Sequence, residues 1–410
     1  MILRNVRSFR VVSDDDLRTA VEREAMDDLV LLIRLGGDVN SRACLVNTPW
    51  GAGTVLHLAV KRAYVSAVKT LLGLGASPEL RGHCQPYPLI AAAMYGHVDV
   101  VRVFLDKRAN VNHADGSGAT SLFLASTEGH LEVVNVLLDV QADANVATLG
   151  GEVALQRASL RGHVGVVRAL IERGADVDIR NKRGETALTL ASREGHAGVV
   201  SLLLAAKCSL HRDGQTALLT ACAKRHTDIV RQLINAKVNV NVQGSDGQTP
   251  LLTACTKAYS DIVRLLIDAN ADTDFHNETE GSGQTALITA ARKGHTDIVR
   301  LLVDAQANVN IRDEIGWTAL MYACRFGFVN IARLLVDAKA NVDFQCHDRG
   351  MTALMTAALW SRVDIVRLLV EAGADMDLKE KNGRTALQVA REIPNTELQA
   401  RLQVVQLLGG

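Results

Sequence analysis

Apolar residues recur along this chain with a period close to 33 residues. One leucine marks each period, and from Leu56 to Leu387 the intervals between successive marker leucines are 33, 33, 33, 33, 30, 33, 36, 33, 34 and 33 residues. An alanine follows each marker leucine by three residues, which predicts that both lie on one face of a short helix. Such a period is typical of stacked repeats, in which each unit buries its apolar face only against its neighbours.

The unit around Leu188 shows which elements each period predicts. Gly184 permits the positive φ of a tight turn, and Thr186 is a residue type that caps helix N-termini. A first short helix would end at Gly195, and the apolar run at 199–203 predicts a second, antiparallel helix. Neither helix is long enough to be stable alone in water, so we expect stacking to stabilise both.

Several motifs of the period resemble those of the ankyrin-repeat family. They are G-Q-T-P-L at Gly247–Leu251, G-x-T-A-L in further units, glycine–histidine at Gly96, Gly129, Gly162, Gly195 and Gly294, D-I-V-R or D-V-V-R at Asp99, Asp228, Asp261, Asp297 and Asp364, and A-N-V-N, A-D-V-D or the mixed form A-N-V-D at Ala109, Ala175, Ala307 and Ala340. The resemblance implies an all-α solenoid, elongated and curved, with a β-turn finger and an antiparallel helix pair in each of about twelve repeats.

The two ends of the chain depart from the pattern. The predicted divisions are an N-terminal tail at 1–14 and a single array at 15–408, with caps near 15–40 and 378–408. Three arginines and no acid among residues 1–12 are typical of an organelle transit peptide. Ser13 and Asp16 predict a capping box directly afterwards, so we interpret the segment as a basic tail.

Composition and cysteine usage argue against several function classes. The chain has 45 basic and 45 acidic residues, so no net field favours nucleic acid or anionic lipid, and no run of 18 apolar residues predicts a membrane span. The seven cysteines include no C-x-x-C pair. Cys222, Cys255 and Cys324 follow the repeat alanine and are expected to be reduced core residues. We therefore expect a cytoplasmic protein, with the nucleus as the alternative.

Histidines and carboxylates that repeat with the period are interpreted as structural. Side chains one repeat apart cannot converge on one metal ion. Asp228, Asp261 and Asp297 are placed at the start of second helices, where the helix dipole favours an acid. No G-x-x-x-x-G-K-[ST], H-E-x-x-H or G-x-S-x-G motif occurs. We predict no enzymatic activity, no cofactor and no metal.

Three fingers differ in length from the others by three residues or more. Those at 41–53 and 275–283 are lengthened, and the one at 209–214 is shortened. Insertions in repeat arrays map to loops that often lie on the binding side, although loop drift would explain them equally well. Tyr87 and Val153 replace the capping threonine, which should weaken each helix start by about 1 kcal/mol.

A row of basic and aromatic residues is the candidate binding surface. The resemblance implies that partners contact the concave face, at the exposed end of each first helix, and the finger tips. From Lys224 onward these helix ends are basic and then aromatic, with no acid among them. The residues of this binding strip are Lys224, Lys257, Arg292, Lys293, Trp317, Arg325, Phe326, Met351, Leu359 and Trp360.

The strip favours a protein partner. We expect an acidic and hydrophobic peptide segment along it, anchored by Trp317, Phe326 and Trp360, because exposed Trp, Met and Arg are frequent in interface hot spots. The alternative is that the two tryptophans pack sideways on neighbouring helices. The predicted function is a monomeric, non-catalytic interaction scaffold. Two other functions stay open: an adaptor for a larger complex such as a ubiquitin ligase, and a nucleotide or single-stranded nucleic acid binder, which the neutral net charge disfavours.

Overall fold

A computed structural model describes residues 12–41, 53–81, 86–276, 283–392 and 398–409. Most of the N-terminal tail, most of the lengthened finger at 41–53, the centre of the finger at 275–283, Cys44 and Cys84 lie outside the described residues.

The described residues form 24 helices in two compact units, Met1–Ser209 and Leu210–Gly410, and the boundary falls at the shortened finger. The helices of the first unit are α1 Asp14–Glu22, α2 Met26–Arg34, α3 Val55–Lys61, α4 Val65–Gly73, α5 Pro88–Met94, α6 Val98–Asp106, α7 Ser121–Glu128, α8 Leu131–Asp139, α9 Ala154–Arg161, α10 Val164–Glu172, α11 Ala187–Glu194 and α12 Ala197–Ala205. Those of the second are α13 Asp213–Lys224, α14 Thr227–Asn235, α15 Pro250–Thr256, α16 Ser260–Asp268, α17 Ala286–Lys293, α18 Thr296–Asp304, α19 Ala319–Phe326, α20 Val329–Asp337, α21 Ala353–Leu359, α22 Val363–Glu371, α23 Ala386–Arg391 and α24 Leu398–Leu407. A single array over 15–408 stays a prediction.

Within each unit the helices form two layers. Each odd-numbered helix, the first of its repeat, packs against the next odd-numbered helix, and the even-numbered second helices do the same. The repeat alanines from Ala59 to Ala390 are all fully buried, and the marker leucines from Leu56 to Leu354 are at most 4% exposed. Leu387, in the last repeat, is partly exposed. The predicted all-α repeat fold is therefore confirmed.

Threonine caps begin most first helices, as their position in the period predicts. Side-chain oxygens of Thr120, Thr186, Thr249, Thr285, Thr318 and Thr352 accept a hydrogen bond from the backbone N–H three residues on, at 3.2–3.5 Å. Tyr87 and Val153 make no such side-chain bond, and the predicted weakening of these two helix starts stays a prediction. Thr216 differs, because the shortened finger is replaced by an extra turn of α13 that places this threonine inside the helix.

The glycine–histidine turns join neighbouring repeats. The Nε2 atom of His196 lies 3.0 Å from the carbonyl oxygen of Leu160, one repeat earlier, and its ring packs on Gly162. A Cβ atom on Gly162 would lie 2.6 Å from His196 Nδ1, so only glycine leaves room for the ring. His130 and His163 make the same contacts with Met94 and Thr127. The structural interpretation of these histidines is confirmed.

The A-N-V-N and A-D-V-D segments also join neighbouring repeats. In these segments, and in the related ones at 142–145 and 238–241, the last side chain accepts a hydrogen bond from the backbone N–H of the second residue in the corresponding segment of the next repeat. Such pairs are Asn145 with Asp176 at 3.0 Å, Asp178 with Ser209 at 2.8 Å, Asn241 with Asp272 at 2.8 Å, Asn310 with Asn341 at 2.7 Å and Asp343 with Asp375 at 2.9 Å.

Candidate partner-binding surface

The five cations of the binding strip lie at the ends of consecutive first helices in the second unit. Lys224, Lys293 and Arg325 lie in the last turns of α13, α17 and α19, next to Arg292, and Lys257 directly follows α15. All five are exposed, and none takes part in the ion pairs found in the described part of the chain. Their charges are therefore available to a partner.

Arg325 is surrounded by the three predicted anchors. Its guanidinium carbon lies 5.6 Å from the ring centre of Trp317, 5.5 Å from that of Phe326 and 5.8 Å from that of Trp360. These separations are within the range of cation–π attraction. Phe326 and Trp360 remain 43% and 45% exposed. Two neighbouring repeats thus form one exposed aromatic cluster around a single cation.

A buried tyrosine–aspartate pair supports Trp317 from inside the protein. Tyr322 Oη donates a hydrogen bond to Asp313 Oδ2 at 2.7 Å, and the backbone N–H of Trp317 donates to Asp313 Oδ1 at 2.8 Å. The Trp317 and Tyr322 rings lie 5.0 Å apart between centres. Burial, together with the bond to Asp313, raises the pKa of Tyr322 well above its usual range, so its hydroxyl stays a donor.

Sequence reasoning did not single out Tyr322 or Asp313. The available signal was a tyrosine at the helix position where neighbouring repeats have Thr289 and Thr356. Trp317 combines both alternatives for the tryptophans, because it packs sideways on Tyr322 and is still partly exposed. Trp360 is the more accessible of the two.

Met351 is a correction to the predicted strip. Its side chain is only 7% exposed, so the prediction that it faces solvent is wrong. The interval before Leu354 is one residue longer than the usual 33, and the finger turns Met351 inward, where its N–H donates to Cys346 Sγ at 3.2 Å. Met351 instead lines a cavity.

This cavity lies beside Trp360 and has a volume of about 340 Å³. Its apolar wall consists of Met351, Leu359, Trp360 and Val389, and its charged lining residues are Arg349, Glu380, Arg384 and Glu392. Arg384 bonds to both glutamates, with its Nε 2.8 Å from Glu380 Oε1. Arg349 is exposed and takes part in none of the ion pairs found among the described residues. Two arginines and two glutamates balance each other in charge, and the apolar wall suits an apolar side chain.

The three cysteines that follow the repeat alanine lie in the core. Cys222, Cys255 and Cys324 are fully buried, as predicted, and burial raises the pKa of Cys222 to about 12 and also raises that of the other two. Within the described ranges, no three His, Cys, Asp or Glu side chains are grouped so as to hold a metal ion. No helix among these residues has the length and apolar content needed to cross a bilayer.

The fold and its recurring contacts define an all-α repeat protein built from helix pairs joined by turns. The family described as ankyrin repeats in sets of three copies matches residues 56–148, 140–212, 206–277, 269–348 and 339–408. The chain therefore belongs to the ankyrin-repeat family. Membership implies protein partners, because ankyrin repeats are interaction modules.

Two plant proteins are similar to part of the chain. Probable E3 ubiquitin-protein ligase XBOS33 of Oryza sativa subsp. japonica is 34% identical over 106 residues, which are 24% of this chain and 20% of that protein. E3 ubiquitin-protein ligase XBAT33 of Arabidopsis thaliana is 35% identical over 89 residues, which are 22% of this chain and 17% of that protein. The matched part of this chain covers no more than a fifth of either relative.

Proposed function

We propose that this protein is a non-catalytic scaffold that binds a partner protein along the binding strip, with the finger tips contributing. The observation that supports this most is the exposed cluster of Trp317, Phe326 and Trp360 around Arg325. Trp and Arg dominate the energetic centres of protein interfaces because they bury much area and still make directional contacts.

The charge of the strip defines the chemistry of the partner. Lys224, Lys257, Arg292 and Lys293 extend from the aromatic cluster along one layer of helices, without an acid at the corresponding positions. Carboxylates on a partner would meet these cations, while apolar side chains would cover the rings. The partner segment is therefore acidic and hydrophobic.

The test compares alanine substitutions of exposed side chains, which are expected to leave the fold intact. Phe326→Ala and Trp360→Ala remove exposed rings, whereas Trp317→Ala would also uncover the buried Tyr322 pair. Proteins captured from cell lysate by the wild-type chain are identified and purified, and their affinities are measured by calorimetry. At a hot spot, Trp360→Ala should cost at least about 2 kcal/mol of binding.

Leu31→Ala is the matched control, since Leu31 is 40% exposed and lies in the other unit. It should leave affinity unchanged. A Trp360→Ala variant that keeps the wild-type circular dichroism spectrum and also keeps full affinity would overturn the proposal.

An adaptor function is the second candidate. It is favoured by the similarity to segments of two proteins named E3 ubiquitin-protein ligases. In that case captured proteins should include ubiquitin-conjugating machinery together with a substrate, and the bound substrate should gain ubiquitin when the captured complex receives ubiquitin and ATP. Capture of a partner that gains no ubiquitin would contradict the adaptor function.

A further inference from the structure

We infer that the segment bound by the strip is an extended peptide with a carboxylate at every third residue, followed three residues further by one large apolar side chain. This inference rests on the proposed function and specifies the partner. It follows from the spacing of cations along the layer of first helices in the second unit, and from the cavity next to the last of them.

The spacing follows from helix packing. Helices α13, α15, α17, α19 and α21 pack side by side in that order. The axes of packed helices lie about 8–10 Å apart. An extended chain advances about 3.3 Å per residue, so one repeat corresponds to about three peptide residues.

Each of the first four helices presents a cation at its end. These are Lys224, Lys257, the pair Arg292 and Lys293, and Arg325. A peptide in register therefore places a carboxylate at positions i, i+3, i+6 and i+9. A helical peptide advances only about 1.5 Å per residue, so it would need a carboxylate at about every sixth residue to meet the same cations.

The fifth helix, α21, presents an apolar end. Leu359 and Trp360 are exposed there, and the cavity beside them has Met351 and Val389 in its wall. One repeat beyond Arg325 corresponds to position i+12 of the peptide. A large apolar residue at that position would cover Trp360 and enter the cavity, so the recognised segment spans about 13 residues.

The experiment uses fluorescein-labelled peptides of 13 residues and the full chain, with affinity measured by fluorescence anisotropy. One peptide has glutamates at positions 1, 4, 7 and 10 and tryptophan at position 13, with serine and alanine elsewhere; a second reverses this order. Control peptides keep the composition but place the four glutamates in one block. We expect one of the spaced peptides to bind at least about tenfold more tightly than its control.

Charge reversal then tests the register itself. Lys257→Glu should weaken the spaced peptide about fivefold, the size expected for an exposed ion pair. Lysine in place of one peptide glutamate should restore binding. Binding of the peptide to the Lys224→Glu variant should be restored by lysine at a second glutamate, three residues from the one that restores binding to Lys257→Glu. The control Arg264→Glu lies on the second helix of the same repeat and should leave affinity unchanged.

The outcomes separate the register from the proposed function. Restoration at two peptide positions three residues apart supports the inference. Restoration at another spacing, or equal binding of spaced and block peptides, overturns it, as does tight and strongly salt-dependent binding of an oligothymidylate without peptide binding. Loss of the captured partner in Trp360→Ala would still support the proposed function if the peptides fail.

Discussion

The contact between glycine and histidine in neighbouring repeats offers the sharpest test of how the stack is held. Gly162 has φ +76° and Gly174 has φ +84°, so alanine at either position adopts a left-handed conformation that costs about 1–2 kcal/mol. A Cβ atom at Gly174 would meet nothing within 4 Å, whereas at Gly162 it would lie 2.6 Å from His196 Nδ1. The two substitutions therefore share backbone strain and differ in one contact.

The size of that difference depends on whether His196 can move away. Its Nε2 is bonded to the carbonyl oxygen of Leu160 at 3.0 Å, and His196 is the N-cap residue of α12, so both its ring and its backbone are held in place. Overpacking at a site that cannot relax costs about 1–3 kcal/mol. We therefore expect Gly174→Ala to lower the free energy of unfolding by about 1–2 kcal/mol and Gly162→Ala by roughly 2–5 kcal/mol.

The assay is urea denaturation followed by circular dichroism, with hydrogen exchange of the amides in α11 and α12 reporting local opening. Adding His196→Ala to Gly162→Ala removes the overlapping ring. In the His196→Ala background, alanine at position 162 should lower the free energy of unfolding only as much as Gly174→Ala lowers it in the wild type. The packing argument would be refuted if the two single alanine substitutions lowered the free energy of unfolding equally. It would also be refuted if the Gly162→Ala loss were as large with His196→Ala as without it.

Three further predictions concern single side chains, each tested by urea denaturation. Burial lowers the pKa of His57 from 6.5 to about 4, so stability is complete above pH 6.5 and falls by roughly 3 kcal/mol as the pH drops to 4; His57→Asn should lose most of this pH dependence. Val153→Thr should raise the free energy of unfolding by about 1 kcal/mol, because the new hydroxyl can accept from the N–H of Gln156, and no gain would contradict the cap assignment. Tyr322→Phe should lower it by about 1–3 kcal/mol, since the buried Asp313 loses a donor, and an unchanged midpoint would show that the bond does not stabilise the fold.

The repeating part of the fold was predictable because its interactions are local or recur at a constant interval. A marker leucine and its alanine need only the 33-residue period to be assigned to the core. The threonine caps follow from their place before each first helix. Thr216 shows the limit of this reasoning, because three missing finger residues convert its turn into an extra turn of α13.

The details of the binding strip were less predictable, because they depend on side chains that meet across repeats. Sequence position identified Arg325 and its three aromatic neighbours, but not that all three rings approach one guanidinium. Met351 and Trp317 hold the same place before a capping threonine, yet Met351 is buried, and its finger is one residue longer. The cavity beside Trp360 combines residues from two repeats and leaves no signal in either one alone.

The cations of the strip have a second physical explanation, which the other unit tests. A positive charge near a helix C-terminus interacts favourably with the helix dipole, so folding alone would favour lysine or arginine there. The dipole acts equally in both units, yet in the first unit α7 and α11 end at Glu128 and Glu194. The fold therefore accepts either sign at this position. An unbroken series from Lys224 to Arg325 is not a requirement of helix stability, and this favours selection for a partner that carries negative charge.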